Sequence, residues 1–248
     1  MRVLQDLDRQ KDELLGIVSH QLAKPITAIK WTLESLSDGD AGELTTEQRE
    51  CMDTMQSMAV NLADLVGMIL DVSRVQLGRI KLDPQPLDLN TFFKEVVDVI
   101  RPAANQKHLT LTLNIPAQLP TVLLDKRYTR MTVENLLTNA VKYTPEGGTV
   151  TLNVSHKSGK LLCDIGDTGC GIPHAEQSKI FGKMFRASNV RNTADGNGFG
   201  LFVAKGAVEA QGGRIGFVST EGKGTTFSVV LPAKTAAGTA LHTDVKDV

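Results

Sequence analysis

The sequence predicts two structural units in series, a helical hairpin followed by an α+β sandwich of one mixed sheet with helices on one face. Residues 1–78 contain one proline and one obvious break, at 37–42, between two apolar runs of helical spacing. Beyond that region, short alternating segments and longer amphipathic segments occur without strict alternation. We expect a helical domain at residues 1–80, a sandwich domain at 85–232 and a disordered tail at 233–248.

Composition excludes several classes of protein. The 248 residues carry a net charge of −1 without a basic stripe, so we expect no nucleic-acid partner. No apolar run approaches the roughly 18 residues of a membrane span, and we expect no membrane contact within this chain, although the full-length protein can be membrane-attached. Three cysteines without CxxC spacing indicate neither a disulfide framework nor a zinc site, which suits a cytoplasmic location.

The first unit shows a heptad pattern. Apolar residues recur three and four apart from Leu15 to Leu36, and again from Met52 to Ile69. The sequence T-T-E after the break offers an N-cap for the second helix. Because a lone hairpin leaves part of each apolar stripe exposed, we expect two copies to form a homodimeric four-helix bundle.

The second unit alternates between two periodicities. The run L-T-L-T-L-N-I is typical of a strand, and the sequences H-K-S-G and T-E-G-K-G are typical of hairpin turns. Paired glycines end the last helix. Strands are expected at 87–89, 109–115, 122–124, 149–155, 160–166, 214–219 and 225–231, and helices at 91–107, 126–143 and 199–211.

The predicted helix 126–143 carries an unusual polar face. Asn135, Asn139, Lys142 and Tyr143 share one side at spacings of four, seven and eight. A solvated face would explain the lysine but not the two carboxamides and the phenol. Asn oxygens can ligate Mg²⁺, and a Lys ammonium suits phosphate, so this face is a candidate for nucleotide binding.

Two glycine-rich loops extend this candidate site. Asp167 ends a strand and enters the sequence T-G-C-G-I-P, where a carboxylate can accept a hydrogen bond from an adenine amino group. Gly196, Gly198 and Gly200 precede a helix whose free amides would attract phosphate. Each loop alone is a weak signal, and neither the Walker A nor the Rossmann pattern fits. The polar stretch 186–195 is expected to be a mobile lid.

The order of these motifs is similar to that of the ATP-binding domain of sensor histidine kinases, in the GHKL superfamily with its Bergerat fold. The sequence N-L-L-T-N-A-V-K-Y-T resembles the N box, D-T-G-C-G-I-P the G1 box, I-F-G-K-M-F-R the F box and G-N-G-F-G-L the G2 box. With the helical region, the resemblance covers roughly residues 10–232. It implies that Asn139 binds Mg²⁺, Lys142 the phosphates, Tyr143 the adenine face and Asp167 the adenine amino group of ATP. The remaining nucleotide-binding positions that it implies are Asn135, Gly169, Gly171, Ile172, Phe185, Arg186, Gly196, Gly198, Gly200 and Leu201.

One position separates kinases from ATPases. ATP-hydrolysing members of the superfamily resemble E-x-x-x-N at the N box, where the Glu activates water, but this chain has Asn135 there. Asn cannot act as a general base, and Glu134 points about 100° away on a helix. Direct hydrolysis is therefore disfavoured, and the γ-phosphoryl group needs a protein acceptor.

The expected acceptor is His20. With Leu15 at heptad position a, His20 falls at position f, outside the bundle seam. Periodicity alone favours an idle surface histidine, but G-I-V-S-H-Q-L-A-K-P-I resembles the H box of histidine kinases. The resemblance implies that His20 attacks the γ-phosphorus and that the phosphoryl group then passes to an Asp on a response-regulator receiver domain.

The H box departs from the family pattern at two expected catalytic positions. Gln21 replaces the usual acid after the histidine and cannot usefully accept a proton. Lys24 replaces the Thr or Asn that the family associates with phosphatase activity. We therefore expect a kinase with weak or absent phosphatase activity. Two alternatives stay open, namely an ATP-binding signalling scaffold without kinase activity and, with less support, a GHKL ATPase.

Overall fold

The structure is a computed structural model, and the chain forms two compact units, one ending at Ile80 and the other beginning at Lys81. We describe each unit by itself. The described residues are 21–22, 24–39, 42–191 and 197–236.

The first unit contains two helices. Helix α1 is described at residues 21–22 and 24–37, and helix α2 spans Thr46–Gln76. A capping box starts α2: the Thr45 hydroxyl accepts a hydrogen bond from the Gln48 N–H, and the Gln48 side chain accepts one from the Thr45 N–H. Two of the four orphan donors at this end of the helix are thereby satisfied.

The helices of this unit carry two apolar stripes, of which one is buried. Ile26, Leu33, Ala59 and Val66 are at most 7% exposed. The residues of the second stripe are each between 44% and 65% exposed. They are Leu22, Ile29, Met55, Met58, Leu62 and Leu65. A single copy of the chain therefore leaves one apolar face of the unit uncovered.

The second unit is a mixed sheet with three helices. Its helices are α3 (Leu89–Gln106), α4 (Lys126–Tyr143) and α5 (Gly200–Ala210), with a 3-10 turn at His174–Lys179. Its strands are β1 (Gln85–Asp88), β2 (Thr110–Asn114), β3 (Thr121–Leu124), β4 (Thr149–Lys157), β5 (Lys160–Asp167), β6 (Arg214–Thr220) and β7 (Gly224–Pro232). Five strands pair in the order β2-β4-β5-β7-β6, and only the β2–β4 pair is parallel. The core lies between this sheet and the helices, with side chains such as Phe92, Leu136 and Leu152 fully buried.

Two features differ from the sequence prediction. Strands β1 and β3 form a separate antiparallel pair instead of belonging to the single predicted sheet. The segment 233–236 was expected to be disordered, but it is paired. Ala233 is buried and donates to the Gly159 carbonyl at 2.8 Å, and Thr235 bridges to Val122 of β3. The domain therefore continues to residue 236, because this extended backbone completes the hydrogen bonds of β3; residues 237–248 lie outside the described part.

The carboxyl end of α4 is held by a lysine from the end of α3. Helix α3 includes Pro102 and ends just before Lys107. The Lys107 ammonium lies within 3.0 Å of three backbone carbonyls, those of Val141, Lys142 and Thr144. A cation at this end complements the helix dipole and satisfies carbonyls that lack helical partners. This contact fixes the last turn of α4, where two of the predicted nucleotide-binding residues lie.

Candidate functional site

A cleft with a cavity volume of about 80 Å³ opens in the second unit, beside α4, the loop after β5 and the start of α5. The cleft brings together eight of the predicted residues: Asn139, Tyr143, Asp167, Gly171, Ile172, Phe185, Arg186 and Leu201. It is also lined by residues that the sequence reasoning missed, namely Cys170, Ile180, Ala187, Asn189, Val190, Thr225 and Phe227.

Helix α4 presents Asn139 and Tyr143 to the cleft from successive turns. The Asp125 carboxylate sets the start of the helix, because it accepts hydrogen bonds from the N–H groups of Tyr128, at 2.9 Å, and Asp83, at 2.8 Å. Burial raises the pKa of Tyr143, and the nearby Arg186 guanidinium partly opposes this shift. The phenol therefore stays neutral at physiological pH and offers the cleft an aromatic face.

The Asp167 carboxylate lies where β5 ends, in the wall of the cleft. Its Oδ1 accepts hydrogen bonds from the Gly169 N–H at 2.8 Å and the Thr225 N–H at 3.2 Å. Burial raises the pKa of Asp167 above the ordinary value, and the two N–H bonds partly offset this effect. Neither bond uses Oδ2, which leaves that oxygen as an acceptor for a ligand.

The glycines after Asp167 allow backbone segments to approach one another. A Cβ on Gly169 would lie 2.5 Å from the Tyr143 carbonyl oxygen, and one on Gly171 would lie 2.1 Å from the Thr220 carbonyl oxygen. Only Gly171 lines the cleft, and its φ of +63° also favours glycine. Glycine at these two positions therefore allows the loop to pack tightly against α4 and β6.

The second glycine loop joins three of the predicted motifs. Gly198 has a φ of +72°, and a Cβ there would lie 2.7 Å from the Met184 carbonyl carbon, so it packs against the backbone that leads to Phe185. A Cβ on Gly200 would lie 3.1 Å from Asn135 Oδ1, which places this carboxamide at the start of α5. Because the N-cap residue Phe199 makes no side-chain cap, the first amides of α5 are suited to an anion. Gly196 lies outside the described residues, and Asn135, Lys142, Gly169, Gly198 and Gly200 do not line the cleft.

The predicted lid is partly a wall of the cleft. Within 186–191, the Arg186 guanidinium donates to the Val190 carbonyl at 3.0 Å, and the Ser188 N–H donates to the Glu176 carboxylate at 2.8 Å. Ala187 and Val190 are buried against the cleft. Residues 186, 187, 189 and 190 of the predicted lid therefore line the cleft, and 192–196 lie outside the described part.

The phosphoacceptor region is only partly described. His20 lies outside the described residues, whereas Gln21 and Lys24 are exposed on α1. Pro25 is helical and has no N–H to donate to the carbonyl of Gln21, four residues earlier. The helix thus has a weakened hydrogen-bond ladder directly after His20.

No second carboxylate reaches the cleft from the described residues. Glu134, the neighbour of the N-box Asn135, pairs with Arg130 of its own helix at 3.2 Å, and Arg130 also bonds Glu95 of α3. Asp167 is the one acid among the described lining residues, and its Oδ1 is engaged by backbone N–H groups. The described lining residues therefore include no evident general base for activating water.

Comparison with known families accounts for both units. Residues 125–235 match the family described as histidine kinase-, DNA gyrase B- and HSP90-like ATPase, and residues 10–78 match the His Kinase A phospho-acceptor domain. Together, the two matches are the domains of a sensor histidine kinase catalytic core. The predicted fold class, a helical region followed by a Bergerat-type ATPase domain, is confirmed.

Individual relatives agree with this assignment. The circadian input-output histidine kinase CikA of Synechococcus elongatus is 32% identical over 95% of this chain and 32% of its own length. The adaptive-response sensory kinase SasA of a Synechococcus species is 33% identical over 92% of this chain and 61% of its own length. The crystal structure of full-length ShkA in complex with AMPPNP is 27% identical, with a TM-score of 0.73, over 90% of this chain and 46% of that one. The chain thus spans about a third to three fifths of the length of these relatives.

The described residues contain neither a membrane-spanning helix nor a cluster of metal-ligating side chains. None of the helices described is long and apolar enough to cross a bilayer. In the same part of the chain, no group of three or more His, Cys, Asp or Glu side chains could hold a metal ion.

The raised pKa of Asp167 predicts that Asp167→Asn stabilises the ligand-free protein at neutral pH. The folded protein binds this proton more tightly than the unfolded chain, so the carboxyl lowers stability as pH rises from about 4 through its raised pKa. An amide removes this cost while its Oδ1 still accepts both N–H bonds. Thermal melts should show a higher Tm for the variant at pH 7.5 and a shrinking difference as pH falls towards about 4.

Asp164→Asn is the matched control, since this carboxyl lies on the same strand and does not line the cleft. It should leave Tm nearly unchanged at both pH values. A Tm for Asp167→Asn several degrees below that of the unmodified protein at pH 7.5 would contradict this account of the carboxylate.

Proposed function

We propose that the chain is an ATP-dependent protein-histidine kinase that transfers the γ-phosphoryl group of ATP to His20 and then to an Asp of a response-regulator receiver domain. The observation that carries the proposal is the Asp167 cleft in a chain that also contains a phospho-acceptor domain. ShkA, a relative of the same fold, has been crystallised with the ATP analogue AMPPNP. The proposal includes a cytoplasmic location.

The cleft suits the adenine end of ATP. Asp167 Oδ2 would accept a hydrogen bond from the 6-amino group, since Oδ1 is already engaged by the backbone. Ile172, Ile180 and Phe227 supply apolar walls for the base, and the neutral phenol of Tyr143 supplies an aromatic face. The combination of one placed acceptor with apolar walls is the usual composition of a specific small-molecule site.

The phosphate end of ATP would lie at the start of α5. The uncapped amides of this helix attract phosphate oxygens, and the Asn135 carboxamide lies beside Gly200. The resemblance assigns Lys142 to the phosphates, and its ammonium lies 5.0 Å from the centre of the Tyr143 ring. These groups would hold and orient the triphosphate.

Asn139 is the residue that fits Mg²⁺. This residue lines the cleft and carries a carboxamide oxygen, and Mg²⁺ prefers oxygen ligands while keeping several waters and substrate phosphate oxygens. One protein oxygen is therefore sufficient, in agreement with the lack of an acidic cluster in the described residues. The ion would neutralise negative charge on the phosphates.

The transfer of the phosphoryl group to His20 does not need an acid or a base from Gln21. A nitrogen of the neutral imidazole forms the bond to the γ-phosphorus, the bond from that phosphorus to the ADP oxygen breaks, and the imidazole proton leaves. Gln21 cannot take up the proton, and it is exposed on α1, so water is the acceptor. We therefore propose a slower phosphorylation than an acid at position 21 would give, and a weak or absent phosphatase activity because Lys24 occupies the position linked to it.

Labelling with radioactive ATP tests this function. The unmodified protein should acquire acid-labile, alkali-stable phosphate, and His20→Ala should acquire none, because the nucleophile is lost. Gln21→Glu should label on the order of a hundred-fold faster, the lower end of typical acid–base catalysis. His174→Ala, which removes an exposed histidine outside the cleft lining, is the control and should label normally. Equal labelling of His20→Ala would refute the assignment of the acceptor.

The scaffold and ATPase alternatives predict other outcomes. A scaffold would bind ATP without labelling, and an ATPase would release phosphate at a steady rate without labelling. The pairing of Glu134 with Arg130 and the presence of Asn135 at the N box argue against the ATPase. The labelling experiment therefore separates all three.

We also propose that the chain acts as a homodimer through the exposed stripe of the helical unit. On α2, Met55, Met58, Leu62 and Leu65 follow the spacing of a coiled-coil seam, and a second hairpin would cover them in a four-helix bundle. The match of residues 10–78 to the phospho-acceptor domain supports this arrangement.

Sedimentation equilibrium tests the dimer. Leu62→Glu should shift the protein to monomer at micromolar concentration, because it buries a carboxylate in the seam. Val60→Glu places the same charge on the opposite side of α2, where the side chain is 39% exposed, and should leave the dimer intact. A monomeric unmodified protein, or equal effects of both variants, would contradict the proposed interface.

A further inference from the structure

In the wall of the cleft, only one of the two polar atoms of the Asn189 carboxamide has a hydrogen-bond partner among the described residues. Its Nδ2 donates a hydrogen bond to the Gly171 carbonyl at 3.0 Å. Its Oδ1 is buried and accepts no hydrogen bond from the described residues. A buried acceptor without a donor is unfavourable, and native structures contain few of them. A donor from a ligand of the cleft would satisfy this oxygen.

The loop that Asn189 binds restricts which ligand group can donate a hydrogen bond to Asn189 Oδ1. Asp167 and Gly171 belong to one short loop, and both line the cleft. Gly169 of this loop fixes Asp167 Oδ1, and Asn189 binds the loop through Gly171. Two acceptors, Asp167 Oδ2 and Asn189 Oδ1, are thus tied to the same five residues. An adenine 6-amino group carries two N–H donors, which matches this pair in number.

We propose that Asn189 Oδ1 accepts the second N–H of the adenine 6-amino group, so that Asn189 is a specificity-determining residue beside Asp167. This inference rests on the proposed function. A purine with a 6-oxo group would present an acceptor to both side chains and would leave two buried acceptors unpaired. Asn189 thereby excludes guanine and hypoxanthine nucleotides as well as binding adenine.

Calorimetric titration of three nucleotides tests the proposal. ADP carries the 6-amino group, purine riboside 5′-diphosphate lacks it, and 2′-deoxy-ADP lacks a ribose donor. Asn189→Leu should weaken ADP and 2′-deoxy-ADP by about five- to ten-fold, the loss of one hydrogen bond, and should change the affinity for the purine riboside nucleotide less than two-fold. Asn189→Ala, a smaller truncation, should give the same differential if Leu disturbs the fold.

Ser188→Ala is the matched control within the same turn. The Ser188 contact to Glu176 uses the backbone N–H, so this variant should leave all three affinities unchanged. Three other results would contradict the account. Equal weakening of all three nucleotides by Asn189→Leu would show that Asn189 acts only by holding Gly171, and would overturn the proposal. Weakening of every nucleotide except 2′-deoxy-ADP would assign Oδ1 to the ribose and also overturn it. A failure of the unmodified protein to bind ADP at all would refute the proposed function itself.

Discussion

The hydrogen bonds to Asp167 Oδ1 are the constraint on which the cleft depends. One comes from Gly169, in the loop after β5, and the other from Thr225, in the neighbouring strand β7. A single oxygen therefore fixes two separate backbone segments, and the second oxygen is left to a ligand. The cost is a partly buried carboxylate whose pKa is raised by that burial. Function and stability of the ligand-free protein thus make opposite demands on this residue, as is common at binding sites.

The same site limits what can happen to a bound nucleotide. The N-box position that would supply a general base holds Asn135, and the adjacent acid, Glu134, is paired with Arg130 on the side of α3. Under the proposed function the cleft holds a nucleotide, and no described lining residue would activate water. The phosphoryl acceptor is then expected in the protein itself, and residues 10–78 match a phospho-acceptor domain.

The sequence predicted those parts of the structure that have a local signal. The periodicity of residues 126–143 predicted helix α4 with the bounds that the structure shows, and eight of the predicted site residues line the cleft. The β1–β3 pair and the ordered segment 233–236 were missed, because short strands that pair over long sequence separations leave no periodic pattern. Asn189 and Thr225 were missed for a related reason: a polar turn and the start of a strand become part of a site only when the fold brings them there.

The fate of the γ-phosphoryl group tests the central claim most directly. A single-turnover reaction with [γ-³²P]ATP, followed by separation of protein from free phosphate, measures how the label divides between the two. The account predicts that the label accumulates on the protein and that free phosphate stays at the level of a protein-free blank. Free phosphate released in proportion to the ATP consumed, with no labelled protein at any time, would contradict the claim that the cleft serves a protein acceptor and not water.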